Sequence, residues 1–494
     1  MKNILLVGLL TLIGIFILSS CQQPQFTPVP TILETSPVST PTAWITFNRV
    51  RLPLIKNGSE YTPTPFLPRA TTPIVLPTPI PQAYPDLDAR ASQPDTPLVT
   101  PIPRQMPLLG DQAQAGNDLI NILLIGSDQR TKGPYFRTDT LIIASIRPRD
   151  QVVSLISIPR DLFVYIPGWT MQRINTAYLH GEMSKYPGGG AALLKDTILY
   201  NLGIRIDNLA IVDFNGFIKI VNVLDGVDVP LACPYTDWRA INPKGNLENP
   251  NNWKLYTVGP GVVHMDGEFA LWYARSRLRS NDFDRGRRQQ EVLRSIYTKA
   301  LQLDILPRIP ELYQQLSEIV KTDIDLNDVL ALAPMALKLD APRIRSYYIS
   351  SKYVKGWWTP QGASVLLPKR EKLEPMLQEA MSPPDNEEDE RLRIIVEVRN
   401  STKNADLQTL AAERLHYGGF ETLYSDQSVD ESSKTWLYDL TGGQYPAVGE
   451  YVLKILGLPA ERLQPGDTAG SKAAYVLVIG ADYNPCFNPS KINR

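Results

Sequence analysis

The alternation of apolar runs with polar punctuation is most regular between Asn121 and Gln290. The run from Asn121 to Ser127 is mostly apolar and ends in Asp128. Leu141 to Ile146 follows the polar stretch Phe136-Arg137-Thr138-Asp139-Thr140, and Val152 to Ile158 leads into Pro159-Arg160-Asp161. Short apolar runs rich in β-branched residues and bounded by turn formers read as strands. Pro148-Arg149-Asp150 fits a tight turn joining the second and third. If the three strands pair antiparallel in sequence order, Asp128, Asp139 and Arg160 all emerge at one sheet edge.

Beyond this region the period changes. Asn215 to Leu224 carries apolar residues at helical spacing, and Asp225 to Val229 reads as a turn and a strand. Pro234 to Trp253 is polar and predicts a loop. Arg275 and Arg277 are two apart and share a face if extended. Asp282 to Gln290 opens an amphipathic run through Val292, Leu293 and Ile296. This predicts a helix with Asp284 as its cap and Arg285 and Arg288 one turn apart at its positive end. Residues 300–382 read as mostly helical, with Ile309–Ile319 and Leu326–Leu339 the clearest segments, and residues 383–391 as an acidic linker. Residues 392–486 predict a βαββαβ order: strands from Arg393 and Ala474, helices over Leu407–Tyr417 and Pro446–Leu456, and Gly418-Gly419 as a helix stop. The fold class expected is α/β (α+β): a central mixed sheet flanked by helices over residues 116–382, then a small C-terminal α/β sandwich, then a tail at 487–494.

The length of 494 residues requires more than one core. A net charge of -1 excludes nucleic-acid binding through bulk charge, and 3 histidines (His180, His264 and His416) argue against a multi-histidine zinc site. No phosphate-cradling glycine motif is present. At the N-terminus, Lys2 and the apolar run Ile4–Leu18 are followed by Leu18-Ser19-Ser20-Cys21. This resembles a bacterial lipobox, so residues 1–21 are expected to be a signal peptide with Cys21 as the lipidation site; the alternative is a signal anchor with an incidental cysteine. Either reading places the rest of the chain outside the cytoplasm. Residues 22–115 are rich in proline and threonine and predict a semi-rigid spacer, with the more apolar Ala43–Ile55 inside it. In an exported chain Cys233 and Cys486 are either a disulfide or two buried thiols.

Acids and arginines recur together in five segments: at Asp128 and Arg130, at Arg137 and Asp139, at Arg160 and Asp161, at Arg275 and Arg277, and from Asp284 to Gln289. Taken singly, these are turn residues, caps or solvated charges. Taken jointly, they suit a metal-bound pyrophosphate, because a hard cation takes carboxylate oxygens and phosphate takes guanidinium forks. In order and spacing these segments, with Arg173-Ile-Asn175-Thr-Ala177-Tyr178 and Asp266-Gly267-Glu268, resemble the LytR-CpsA-Psr family of bacterial cell-wall assembly proteins. The likeness covers about Asn121–Ile296 and extends loosely to Gln378. The tail resembles the C-terminal domain found on many members.

The resemblance implies a phosphotransferase that moves a glycopolymer from a polyprenyl pyrophosphate carrier onto peptidoglycan. It implies Mg²⁺, or Mn²⁺ in its place, on Asp128 and Asp139. Pyrophosphate contacts would come from Arg130, Arg137, Arg160, Arg275, Arg277, Arg285, Arg288 and Gln289. Catalysis would centre on Arg137 and Arg160, and Asp161 is a candidate base, with His180 and His264 as alternatives more readily explained as structural. The prenyl chain would lie in an apolar pocket, for which Phe214, Phe217, Ile218 and Val221 are candidate walls, though plain core explains them as well. Asp284 departs from the glycine common in the family, and a lipoprotein-like start departs from the usual transmembrane anchor. The expected setting is the outer face of the bacterial cytoplasmic membrane, with anchorage through the N-terminus. A non-catalytic regulator that binds prenyl phosphate or wall polymer, and a pyrophosphate hydrolase, are the competing readings.

Overall fold

The computed structural model describes residues 119–128, 136–243, 245–277, 280–303, 319–336, 338–425, 431–467 and 471–486, with two short strands at 56–57 and 60–61. The leader, Cys21, most of the proline-rich spacer including Ala43–Ile55, Arg130, nearly all of Ile309–Ile319 and the tail 487–494 lie outside the described residues. Among the described residues no helix is long and apolar enough to cross a membrane. Contacts divide the chain into two units. The smaller contains residues 18–74 and Trp238–Tyr256, and the larger holds the rest. In the smaller unit Arg239 lies 5.0 Å from the centre of the Tyr256 ring, and the Trp253 indole donates to the Leu247 carbonyl at 3.0 Å. Pro234–Trp253, expected as a loop, takes part in strands Tyr235–Ala240 and Trp253–Val258. Thr236, Trp238 and Tyr256 supply β-formers that the polar composition obscured.

The core of the larger unit is a six-stranded mixed sheet. Its strands are β1 (Ile120–Ser127), β2 (Thr138–Arg147), β3 (Val152–Ile158), β4 (Asn208–Val212), β5 (Val320–Thr322) and β6 (Ile344–Tyr348), in the order β5-β4-β1-β2-β3-β6. The pairs β1/β2, β2/β3 and β4/β5 are antiparallel, whereas β1/β4 and β3/β6 are parallel. β2 and β3 are buried almost throughout, which explains why their sequences run apolar without alternating. Helices cover both faces. On one, α1 (Ala177–Met183), α2 (Gly189–Leu202) and α6 (Arg370–Met381) close a core around Leu123, Ile143, Ile156, Leu194, Ile198 and Leu377. The other face meets α3 (Phe214–Val223), α4 (Gly267–Arg275) and α5 (Asp282–Gln302).

Three capped starts fix these last helices. Asp213 accepts from Gly216, Asp266 from Phe269 and Asn281 from Asp284. The cap of α5 is therefore Asn281, not Asp284, which lies inside the first turn. α3 and α4 meet at Gly267, where an added Cβ would come within 2.3 Å of the Ile218 carbonyl.

Among the described residues, 300–382 are less helical than expected. They contribute β5, β6 and an antiparallel hairpin of Val354–Trp358 with Ser364–Pro368, alongside a helix at Leu326–Ala336 and α6. Ile344-Arg-Ser-Tyr-Tyr348 gains its strand from pairing with β3, a partner remote in sequence. The expected linker also contains a helix, Asn386–Arg391. Asp385 caps it through the Glu388 N–H, and Glu388 meets Arg345 at 3.3 Å.

The C-terminal module follows as β7 (Ile395–Asn400), α7 (Asp406–Tyr417), β8 (Glu421–Tyr424), β9 (Trp436–Asp439), α8 (Pro446–Leu456), β10 (Leu463–Pro465) and β11 (Tyr475–Ile479), with sheet order β8-β7-β11-β9-β10. The expected order gains one short edge strand, β10. A separate core forms around Val396, Leu415, Phe420, Val452 and Leu477. Cys233 and Cys486 are disulfide-bonded across 253 residues of chain. Arg294 of α5 lies 4.4 Å from the centre of the Tyr417 ring and 3.8 Å from Glu413, both on α7.

Candidate active site

Antiparallel pairing brings the end of β1, the start of β2 and the end of β3 to one sheet edge. Ser127 pairs with Thr138, and Leu141 with Ile158. Between the Gly126–Thr140 and Ser127–Thr138 pairs, Asp139 is the extra residue of a β-bulge. A bulge re-aims the side chain it carries. Asp139 accepts from Arg160 Nη1 at 2.7 Å through Oδ1, and its carbonyl accepts from Arg285 Nη2 at 3.1 Å. Asp128 Oδ1 accepts the Arg137 backbone N–H at 3.0 Å, and the Arg137 side chain is exposed.

From the other side, α5 places two groups on this edge. Arg285 meets Asp282 at 3.1 Å, and Gln289 donates to the Thr140 hydroxyl at 2.9 Å. Arg277, just past α4, pairs with Asp282 at 3.2 Å. Arg275 is the last residue of α4, with its guanidinium 4.0 Å from the centre of the Phe214 ring. Arg275 and Arg277 thus do not share a strand face, because Asp266 caps a helix that carries the apolar positions through to Arg275.

The Nε atoms of Arg160 and Arg285 are buried with no hydrogen-bond partner among the described residues. Buried unpaired donors are costly, and more so on cations. Burial and the nearby charges of Arg160 and Arg277 hold Arg285 below the usual guanidinium range, against the pull of Asp282 and Asp139. Burial also opposes the charge of Arg160, but its hydrogen bond to Asp139 and the charges of Asp139, Asp161 and Asp282 outweigh it and raise its pKa. Arg160 Nε lies 3.7 Å from the Asp161 carboxylate.

Directly beneath lies an apolar cavity of about 190 Å³ with an open mouth. Leu124, Ile142, Ala210, Phe214, Phe217 and Ile220 line it, and Asp139, Arg275, Arg285 and Gln289 stand in the same wall. Of the four expected wall residues Phe214 and Phe217 line the cavity. Ile218 and Val221 are not part of the lining; Val221 is fully buried.

A family model described as the LytR_cpsA_psr family matches residues 101–382, more than half of the sequence. The chain belongs to this family. It is similar to the polyisoprenyl-teichoic acid--peptidoglycan teichoic acid transferase TagU of Enterococcus faecalis, 31% identical over 218 residues, which are 43% of this chain and 64% of that one. The transferase of the same description named TagV, of Bacillus subtilis, is 30% identical over 236 residues, 45% of this chain and 56% of that one. The chain thus spans less than two thirds of either relative. The crystal structure of B. subtilis TagV aligns at 27% identity over 54% of this chain and 99% of that one, with a TM-score of 0.44.

Not every LytR-CpsA-Psr motif residue reaches the sheet edge. Arg288, expected at the pyrophosphate, is fully buried. Its guanidinium donates to the carbonyls of Tyr273 and Ser276, meets Asp284 at 3.2 Å and lies 4.1 Å from the centre of the Tyr235 ring. It braces the turn between α4 and α5, and Asp284 serves it and Arg287 there. His264 pairs with Asp228 at 2.8 Å, and the His180 ring stacks on Trp169 at 3.8 Å.

Two residues not chosen from the sequence also join this edge. Arg173 meets the Asp161 carboxylate at 3.2 Å, and Asp282 meets both Arg277 and Arg285. Arg173 was visible only as part of a motif and Asp282 only as a residue before a helix. Burial raises the Asp161 pKa, Arg160 and Arg173 pull it down, and Asp282 pushes it up, so the net direction is upward. Burial works against Asp282 as well, but Arg285, Arg160 and Arg277 hold it below the usual carboxylate range.

The donor set also fits a hard cation. Asp128 and Asp139 each commit one carboxylate oxygen within the described fold. No three acidic, histidine or cysteine side chains converge among the described residues. A cation here would therefore complete its shell with phosphate oxygens and water, as Mg²⁺ commonly does.

Proposed function

We propose that this chain transfers a glycopolymer from a polyprenyl pyrophosphate carrier to a hydroxyl of peptidoglycan, releasing polyprenyl phosphate. The observation that carries this reading is the set of Asp139, Arg275, Arg285 and Gln289 in the wall of an apolar cavity, with Arg160 held on Asp139 at 2.7 Å. That arrangement suits one amphipathic ligand with an anionic head and a long apolar tail. The names borne by the similar Enterococcus and Bacillus proteins agree with it.

In this reading Arg160, Arg275, Arg277 and Arg285 hold the pyrophosphate, Gln289 orients it, and the exposed Arg137 adds a further contact. Arg288 positions α4 and α5 from within. Mg²⁺ on Asp128 and Asp139, with Mn²⁺ as a substitute, would neutralise phosphate charge when bound. The guanidinium forks stabilise the charge that builds on the departing phosphate, and the tail in the cavity fixes the scissile bond. Asp161, with its raised pKa, takes the proton from the attacking hydroxyl. The site would work outside the cytoplasm, tethered to the membrane through Cys21 or the apolar run before it. The disulfide between Cys233 and Cys486 suits that compartment.

The test is transfer of a labelled polyprenyl pyrophosphate-linked saccharide to peptidoglycan fragments in the presence of Mg²⁺. Glycan-linked product together with polyprenyl phosphate supports the reading. Free sugar phosphate formed at the same rate with and without acceptor marks a hydrolase, and binding with no turnover marks a regulator.

A further inference from the structure

The hairpin of Val354–Trp358 with Ser364–Pro368 is joined to the site by its backbone. The Leu366 N–H donates to the Asp161 carbonyl at 2.9 Å, and Arg173, which holds the Asp161 carboxylate, also donates to the Ser364 carbonyl at 2.7 Å. Ser364 pairs with Trp358 and Leu366 with Gly356. Trp357 is buried against Phe163, whereas its neighbour Trp358 is 42% exposed. Gly356 lies two residues before Trp358, hence on the same face of the strand, and no atom lies within 4 Å of where its Cβ would be. Ser364 and Gly356 therefore leave an open shelf beside an exposed indole, one cross-strand pair and one guanidinium away from Asp161.

The geometry of displacement gives this shelf a direction. In phosphoryl transfer the attacking and leaving oxygens lie roughly in line across phosphorus. The leaving group is polyprenyl phosphate, whose tail enters the cavity between the sheet and α3 to α5. The attacking hydroxyl must then approach from the side away from the cavity, and neither Asp161, Arg173 nor any hairpin residue lines that cavity.

We propose that the Val354–Pro368 hairpin is the acceptor subsite, with a sugar ring of an N-acetylhexosamine glycan strand stacked on Trp358 over Gly356. This rests on the transferase reading above. The acceptor hydroxyl forms the new O–P bond, the bond from phosphorus to the bridging oxygen of polyprenyl phosphate breaks, and the hydroxyl proton passes to Asp161. A ring face on an indole, with hydroxyls and carbonyls beside it, is the chemistry that recognises a saccharide.

The experiment measures acceptor and donor KM separately, using the full chain, a polyprenyl pyrophosphate-linked saccharide as donor and soluble peptidoglycan glycan strands as acceptor. Trp358→Ala and Gly356→Val are each expected to raise acceptor KM by about five- to tenfold, with donor KM unchanged and Trp358→Phe retaining most of the affinity. Neither residue belongs to the phosphate-binding machinery, and unchanged donor KM reports an intact fold. Direct binding of the glycan strands, followed by saturation-transfer NMR without donor, keeps the subsite testable even if no transfer is seen. Binding that is lost in both variants supports the subsite in either case. Wild-type transfer with acceptor KM and glycan binding within twofold in both variants overturns it and leaves the transferase reading intact. A rise in donor KM instead would assign the shelf to the donor sugar. Loss of binding to anionic phospholipid vesicles, with acceptor KM unchanged, would make it a membrane contact. Either result also overturns the proposal.

Discussion

Arg160 and Arg285 converge on Asp139, one on its carboxylate and the other on its carbonyl, which fixes two guanidinium groups at the sheet edge. Arg160→Ala or Arg285→Ala should lower turnover by about 10²- to 10³-fold, the scale of removing one preorganised charge-stabilising donor. The apolar tail should still bind, as checked by displacement of a fluorescent prenyl probe. Asp161 offers a second test. It acts unprotonated and its pKa is raised, so the acid limb of the kcat profile should lie above the ordinary carboxylate value of about 3.9, with activity falling as pH drops through that limb. Asp161→Asn should remove the limb along with most of the activity; a limb that persists in the residual activity places the base elsewhere. Asp128, Asp139 and Arg160 could be grouped from the sequence because three consecutive apolar strands, the second and third joined by a tight turn at residues 148–151, leave few ways to pair. Arg288 could not be told from Arg285, because its inward turn depends on Tyr235 and Tyr273 from other elements.

At the scale of elements, the site depends on how closely α3 and α4 approach. Phe214 on α3 lies beneath Arg275 at the end of α4, and Gly267 permits backbone-to-backbone contact between the two helices. Gly267→Ala should cost about 1–3 kcal/mol, measured by denaturant unfolding. It should weaken binding of prenyl pyrophosphate more than that of inorganic pyrophosphate, since the cavity wall moves more than the forks at the sheet edge. β1 to β3 and α5 were readable because each is a long, uniform run. β6 and the Val354–Pro368 hairpin were read as helical, since five-residue segments carry no decisive period and take their conformation from the partners they pair with. The bulge at Asp139 left no separate mark in the sequence, because Thr-Asp-Thr reads equally well as regular strand.

For the whole molecule, α5 links two cores. Its first turn meets Asp139, and Arg294 further along reaches Glu413 and Tyr417 of the C-terminal module. The cystine adds a covalent tie between the same two bodies. Replacing both Cys233 and Cys486 with serine should lower unfolding stability by about 2–5 kcal/mol under oxidising conditions and make no difference in reductant. More than one core was expected from the length and the second body from its pattern of strands and helices, whereas a bond between Cys233 and Cys486 was one of two open readings, because sequence fixes no distance between residues so far apart.

The loop closed by that cystine contains α4, α5 and almost the whole C-terminal module. A single proteolytic cut anywhere between Cys233 and Cys486 would leave two fragments that migrate together on a non-reducing gel and part only when thiol is added. In the extracytoplasmic setting proposed for this chain, one severed peptide bond need not detach α5 from the sheet it serves.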